Sequence, residues 1–321
     1  MTAGRSRARR PAAPESRWAA LLTESRNPRS TRLDTLPTEK VVALLLDEDR
    51  RAIVAAARER RTITRAAEEV ARALEAGGRV VFLGAGTSGR LAVLEAAECP
   101  PTFGTDPDHI RAVIAGGEGA VFRAVEGAED RADDGGREGA RLSGNDVLVG
   151  ISASSVTPFV RGALEAARGR GARTVLVTCA PDRSLRRLAD VVVAIATGPE
   201  VLTGSTRLKA GSATKAALNA MTTAAMVRLG KAYENLMVDL RQGSAKLQDR
   251  ARRIVAAAAR VSPEEARDLL EEAGGEVKTA IVMGRLGTDA AKARQRLGDA
   301  RGHVRAALTT RREPDKARDR R

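Results

Sequence analysis

Five stretches of the chain carry side chains suited to holding an anion or moving a proton. Gly84-Ala85-Gly86-Thr87-Ser88-Gly89-Arg90 directly follows an apolar run and opens a helical pattern. Small residues let a ligand approach the backbone, and a helix N-terminus offers unpaired N–H groups to an anion. Two readings are open here. Gly84 and Gly86 match the start of a dinucleotide fingerprint, but Gly89 is spaced as Gly-x-x-Gly, and no acidic ribose partner stands at a strand end about 20 residues on. The other reading is a tight strand–helix turn without a ligand. Ser152-Ala153-Ser154-Ser155-Val156-Thr157-Pro158 follows another apolar run. Its uncharged hydroxyls suit a phosphate monoester, and one of them alone would suffice to cap the next helix.

Glu98, in Glu95-Ala96-Ala97-Glu98-Cys99-Pro100-Pro101, falls in the last turn of an expected helix. A buried carboxylate at that dipole end would be competent for proton transfer near neutrality, and a solvated one would be inert. Glu126-Gly127-Ala128-Glu129-Asp130 reads either as a solvated acidic face or as the source of a second carboxylate that divides acid and base roles with Glu98. The fifth stretch, Gly198–Ser212, is polar and holds Arg207 and Lys209 among Ser, Thr and Gly. It suits closure over an anion or a subunit contact. His109 and His303 have no partner pattern. Cys99 and Cys179 show neither metal spacing nor a disulfide framework, which fits a reducing compartment.

The elements that must position these groups alternate through the middle of the chain. Short apolar runs at 79–83, 110–115, 146–151, 174–179 and 191–196 are separated by helical patterns at 88–98 and 158–170. Apolar runs with no polar alternation are strands buried on both faces, so the expectation is an α/β fold with a central parallel sheet flanked by helices. The helix at 88–98 is expected to stop at Pro100-Pro101. Residues 38–77 are helical ahead of the sheet, and 210–232 read as one long Ala-rich helix, buried in the core or against another subunit. From about 250 the strands vanish, and short helices at 251–259, 263–273, 276–286 and 289–297 form a small appended unit. The expected division is a basic tail at 1–20, the α/β domain with its N-terminal helices at 21–250, the helical unit at 251–308, and a second basic tail at 309–321.

The 321 residues hold 55 Lys+Arg against 41 Asp+Glu, a formal charge of +14. Such a balance invites a nucleic-acid reading, but aromatics are only 2%, which leaves no stacking platform. The excess is also misplaced for such a reading. Residues 1–20 hold five Arg against one Glu, and residues 301–321 hold eight cations against three acids, so most of the charge lies outside the motifs. No apolar run is long enough to span a membrane, and the basic start lacks the apolar core of a secretory signal. A cytoplasmic location is expected.

Taken in order, these stretches resemble one family closely. Thr23-Glu24-Ser25-Arg26-Asn27-Pro28, Gly84–Arg90, Ala97-Glu98-Cys99-Pro100-Pro101-Thr102-Phe103-Gly104, Ile114-Ala115-Gly116-Gly117, Ala124–Asp130, Gly198–Gly211 and Tyr233–Asp239 are similar to motifs of the N-acetylmuramic acid 6-phosphate etherases. These are sugar-isomerase-like (SIS) proteins related to the glucokinase regulatory protein. The resemblance runs to about Leu308.

It implies a three-layer SIS fold with a small UBA-like C-terminal subdomain, and a homodimer with sites at its interface. It implies cleavage of a D-lactyl ether without a cofactor or metal, with Glu98 and Glu129 as the acid/base pair. Gly86, Thr87, Ser88, Ser152, Ser154 and Thr157 would hold the phosphosugar, and Arg207 and Lys209 would close the site or the dimer contact. The alternative is a non-catalytic sugar-phosphate sensor like the regulatory protein. One segment departs from the family. Where Ser-Gly-Arg-Thr-Pro is usual, this chain has Ser154-Ser155-Val156-Thr157-Pro158, which adds a Cβ at Ser155 and removes a cation at Val156.

Overall fold

The computed structural model describes residues 21–309. The expectations for the two terminal tails therefore lie outside the described residues, apart from 301–309. After three short helical turns come α1 (Thr38–Arg58) and α2 (Arg60–Glu75). The alternating region is β1 (Val80–Gly84), α3 (Gly86–Phe103), β2 (Ile110–Ile114), α4 (Ala132–Gly139), β3 (Val147–Ile151), α5 (Pro158–Gly169), β4 (Arg173–Thr178) and β5 (Val191–Ala194). The long helix α6 (Lys209–Arg228) follows, and then a two-stranded hairpin, β6 (Ala232–Tyr233) and β7 (Leu236–Met237).

The five long strands pair in parallel in the order β2-β1-β3-β4-β5. The central strands β1, β3 and β4 are buried on both faces, as their apolar runs require, and the edge strands β2 and β5 are partly exposed. Val80, Phe82, Val147, Val149, Val175 and Val177 pack with α1, α2, α3 and α6. Val81, Leu83, Leu148 and Leu176 face the other way, against α5 and Ala128. The crossover from β1 to β2 through α3 and the crossover from β3 to β4 through α5 run in opposite directions along the sheet, which puts α3 and α5 on opposite faces. The result is three layers. No helix among the described residues is long and apolar enough to cross a membrane.

Two local expectations are corrected. The first concerns α3, which continues through Pro100-Pro101 to Phe103. The prolines fall in its final turn, so only the hydrogen bonds to the Ala96 and Ala97 carbonyls are forgone. Gly104, left-handed at φ +62°, then ends the helix by donating its N–H to the Pro100 carbonyl. The second concerns α6, which stops at Arg228 rather than 232, because Gly230 turns left-handed and the chain enters β6. The helix α4 was not foreseen, since its sequence, ADDGGREG, is poor in helix formers. Tertiary packing overrides that. The Cα atoms of Gly135 and Gly139 lie so close to the backbone of α5 that a Cβ on either would collide with the Phe159 or Ala163 carbonyl.

A second core gathers Tyr233, Val238 and Leu240 with α7 (Ala245–Ala259), α8 (Pro263–Glu272), α9 (Val277–Leu286), α10 (Ala290–Asp299) and α11 (Val304–Thr309). It therefore begins upstream of the first of the four short helices read from sequence. Ser262 starts α8 with a full capping box to Glu265 and with Pro263 at the first helical position.

Candidate functional site

The strand order reverses between β1 and β3, whose outgoing helices α3 and α5 diverge to opposite faces. Such a switch point opens a crevice at the carboxyl ends of the strands. Both hydroxyl-rich turns lie there, since Gly84 and Ile151 are register partners and the turns follow them directly. The β1–α3 turn is tight for a steric reason. A Cβ on Gly89 would stand 2.7 Å from the Gly84 carbonyl and 2.9 Å from Cδ1 of Ile114. Gly86 is left-handed at φ +53°, and Gly86, Thr87 and Ser88 form the first turn of α3.

No side chain caps either helix end: Ala85 precedes α3, and the hydroxyl of Thr157 makes no cap bond to α5. Thr157 is instead 2.8 Å from the Ser152 hydroxyl. The capping role that competed for these hydroxyls is thus left unfilled. Two helix N-termini with free N–H groups flank the crevice.

A cavity of about 350 Å³ opens beside the second turn, lined by Ser154, Val156, Thr157 and Pro158. That volume lies within the range of roughly 300–1,000 Å³ usual for small-molecule sites. Glu129 and Asp130 line it from a single helical turn, Ala128–Asp130, and Leu21 and Glu24 line it from the start of the described chain. Ala128 is buried against α5 and Gly127 is left-handed at φ +70°, and together they turn the two carboxylates outward. The close α4–α5 packing brings this acidic turn up against Pro158. The structure therefore assembles Glu129, Ser154 and Thr157 around one space, with Ser152 hydrogen-bonded behind them. Gly86, Thr87 and Ser88 stand at the neighbouring strand end.

Three expected site residues lie elsewhere. Glu98 is exposed on α3, 12 residues beyond Gly86, which at 1.5 Å per residue is about 18 Å down the helix. It forms a row with the exposed Leu94, one turn earlier. Glu95, three residues before Glu98, is buried and tied to α6. It accepts hydrogen bonds from Thr222 and, at 2.7 Å, from the Lys215 ammonium.

Arg207 is exposed on the 198–208 loop. Lys209 is buried at 3% exposure and ion-paired with Glu48 of α1. Burial pushes the Glu48 carboxyl up, but hydrogen bonds from Lys209 and Arg29 outweigh this and hold it below its ordinary value. Glu200 anchors the same loop by accepting the N–H groups of Lys209 and Ala210 at 3.2 and 2.9 Å, and its burial raises its carboxyl. The two thiols are buried. Burial, with Glu95 nearby, pushes Cys99 up to about 12, and burial takes Cys179 to about 11, so neither is a nucleophile at neutral pH.

Ser155 occupies the left-handed region at φ +65°. The turn thus keeps the backbone that glycine would take, and the serine is held there at a cost of about 1–2 kcal/mol. Ser155→Gly is expected to raise stability by roughly 0.5–1 kcal/mol after glycine's larger chain entropy is deducted, read as a higher Tm. A lower Tm would mean that the serine side chain makes contacts worth more than its strain.

Residues 62–168 match the model of the glucokinase regulatory protein N-terminal SIS domain, and residues 129–224 match the SIS domain model. Among curated proteins the chain is similar to three named N-acetylmuramic acid 6-phosphate etherase. That of Mycolicibacterium smegmatis is 49% identical over 90% of this chain and 98% of its own length. That of Rubrobacter xylanophilus is 48% identical over 94% and 100%, and that of Salmonella choleraesuis 47% over 90% and 98%.

Proposed function

The chain belongs to the N-acetylmuramic acid 6-phosphate etherase family, and from that premise we propose that it cleaves the D-lactyl ether of N-acetylmuramic acid 6-phosphate with Glu98 and Glu129 as its acid/base pair. Opening of the sugar ring exposes the C1 aldehyde and acidifies the proton on C2. A carboxylate removes that proton, the electron pair forms the C2–C3 double bond, and the C3–O bond breaks as lactate leaves with a proton. Water then adds at C3 and a proton returns to C2, giving N-acetylglucosamine 6-phosphate and D-lactate. Two carboxylates in opposite protonation states suffice for both steps. The phosphate is held at the two uncapped helix ends by Gly86, Thr87, Ser88, Ser152, Ser154 and Thr157, with Arg207 closing the site or the dimer contact.

The observation that carries this reading is the cavity at the switch point, where Glu129 faces the Ser154–Pro158 turn. Within one copy Glu98 stands too far down α3 to reach that space. We therefore assign its action to the cavity of a second copy. The face that carries Glu98 supports a homodimer, since Leu94 of α3, Val227 of α6 and Val42, Leu46 and Ile53 of α1 are all exposed, Leu46 at 65%. Val42, Leu46 and Ile53 share one side of their helix, and α6 packs against both α1 and α3. Exposed apolar side chains on three helices that pack against one another suit a two-fold contact. We place the enzyme in the cytoplasm, where the two free cysteines stay reduced.

The purified protein given N-acetylmuramic acid 6-phosphate should release D-lactate. In heavy water the product should carry deuterium at C2. Lactate release without that label would rule out elimination, and binding without turnover would mark the chain as a sensor.

A further inference from the structure

We propose that Glu24 is a substrate-binding residue of this site, its carboxylate accepting hydrogen bonds from the hydroxyl groups of the sugar phosphate. The assignment rests on the etherase reading of the cavity. Glu24 lines the same space as Glu129, Asp130, Ser154 and Thr157. With Leu21 it comes from the start of the described chain, more than 100 residues before Glu129 and Ser154 in sequence.

The segment that presents it is fixed without help from the Glu24 carboxylate. Thr23 is buried at 6% and its carbonyl accepts the Gly204 N–H at 3.1 Å. Asn27, buried at 4%, donates to Glu48 and to the Pro199 carbonyl, both at 3.0 Å. Ser30 donates to the Val201 carbonyl at 2.7 Å. The backbone from 23 to 30 is thus strapped across the 198–204 loop, which Glu200 and Lys209 in turn hold to α6.

The Glu24 side chain takes no part in this strap. It is exposed and, among the described residues, makes no ion pair and accepts one long hydrogen bond, at 3.4 Å from the Thr23 hydroxyl. The carboxylate rests beside Gly204, left-handed at φ +79°, where a Cβ would stand a tight 3.3 Å from it. A side chain held in place by its backbone, with acceptor capacity left over among the described residues and a cavity before it, is arranged for a ligand.

The charge of the lining says which part of the ligand. Among the described residues that line the cavity, Glu24, Glu129 and Asp130 contribute three carboxylates and there is no cation. An ionised carboxylate only accepts hydrogen bonds. That wall therefore suits the hydroxyl-bearing carbons of the sugar and repels its anionic ends, leaving the phosphate to the neutral hydroxyls and helix ends.

The test uses Glu24→Ala, Glu24→Gln and Glu24→Asp in the full chain. A charge-assisted hydrogen bond is worth about 10- to 100-fold in affinity. Glu24→Ala should weaken calorimetric binding of N-acetylglucosamine 6-phosphate by that factor and raise KM more than it lowers kcat, with Glu24→Gln intermediate and Glu24→Asp partly restored. Inhibition by inorganic phosphate should be unchanged. Equal weakening of phosphate and sugar phosphate, with a fall in Tm, would assign Glu24 to the strap and overturn the proposal. Unchanged binding and KM in Glu24→Ala, beside an active wild type, would overturn it alone. A wild type that neither releases D-lactate nor binds N-acetylglucosamine 6-phosphate would remove the etherase reading and this assignment together.

Discussion

Replacing Glu98 by Ala or Gln is expected to lower D-lactate release by about 10²- to 10⁴-fold, the usual contribution of a positioned proton-transfer group. Folding should hardly change, because Glu98 is exposed, and surface substitutions of this kind stay within about 0.5 kcal/mol. The loss therefore belongs in kcat with an unaltered Tm. Glu129→Gln should behave in the same way. The decisive measurement is complementation. Neither Glu98→Ala nor Glu129→Ala homodimers are expected to turn over. When the two are unfolded together and refolded, half of the random dimers pair a copy lacking Glu98 with a copy lacking Glu129. If Glu98 acts across the interface, each such dimer holds one complete site, and the mixture should regain about a quarter of the wild-type rate. A mixture as dead as its parents would put both carboxylates in one copy and overturn the interface assignment. Sedimentation of the wild type as a monomer would overturn it independently.

Lys209→Met should act on stability rather than on substrate. Lys209 and Glu48 are both nearly inaccessible, with side-chain exposures of 4% and 3%. Removing one member of a buried ion pair leaves the other charge in a poorly solvated place, at a cost of about 3–5 kcal/mol. For a domain of this size that corresponds to a fall in Tm on the order of 10 °C. Arg29 and Asn27 still reach Glu48, which puts the expected loss toward the lower end. Lys209→Met combined with Glu48→Gln should recover part of it, since no charge is then stranded. An unchanged Tm with a raised KM would instead make Lys209 a substrate ligand. The same pair carries a pH signature. Because the Glu48 carboxyl is held below its ordinary value of 4.5, the folded state binds fewer protons than the unfolded one as the pH falls through that region. Its stabilisation is complete above pH 4.5 and drains away below it. The acid-induced loss should be smaller in Glu48→Gln than in the wild type.

Much of the scaffold was legible in the residues. All five long strands appeared as apolar runs bounded by turn residues, because a strand buried on both faces needs no polar position and its ends need Gly or a charge. The two hydroxyl-rich turns were legible for a related reason. A chain that must turn sharply at a strand end and then enter a helix needs small residues there, and Gly84 and Gly89 are needed by nearby contacts. The Glu126–Asp130 acids could be seen as a cluster, though a solvated face explained them equally well. Glu24 was visible only as part of a family motif, with no role attached. Nothing in its local sequence distinguishes it from any exposed acid near a chain end.

What the sequence determined by itself was therefore the class of fold, the family, and the inventory of groups able to do chemistry. Each of these depends on hydrophobic period, backbone preference and motif order, which act over a few residues at a time. The tertiary structure alone decided which of those groups meet. It made a helix of ADDGGREG through Gly–carbonyl contacts with α5, and so carried Glu129 to the Ser154 turn. It buried Lys209 against Glu48, removing a cation that looked available to substrate. It placed Ser155 in the left-handed conformation that favours glycine, and it left Glu98 on an exposed face about 18 Å along α3 from the turn that opens the helix. These outcomes depend on close packing between segments far apart in the chain, as in the bond from Asn27 to Pro199, 172 residues on, and no local pattern encodes contacts at that range.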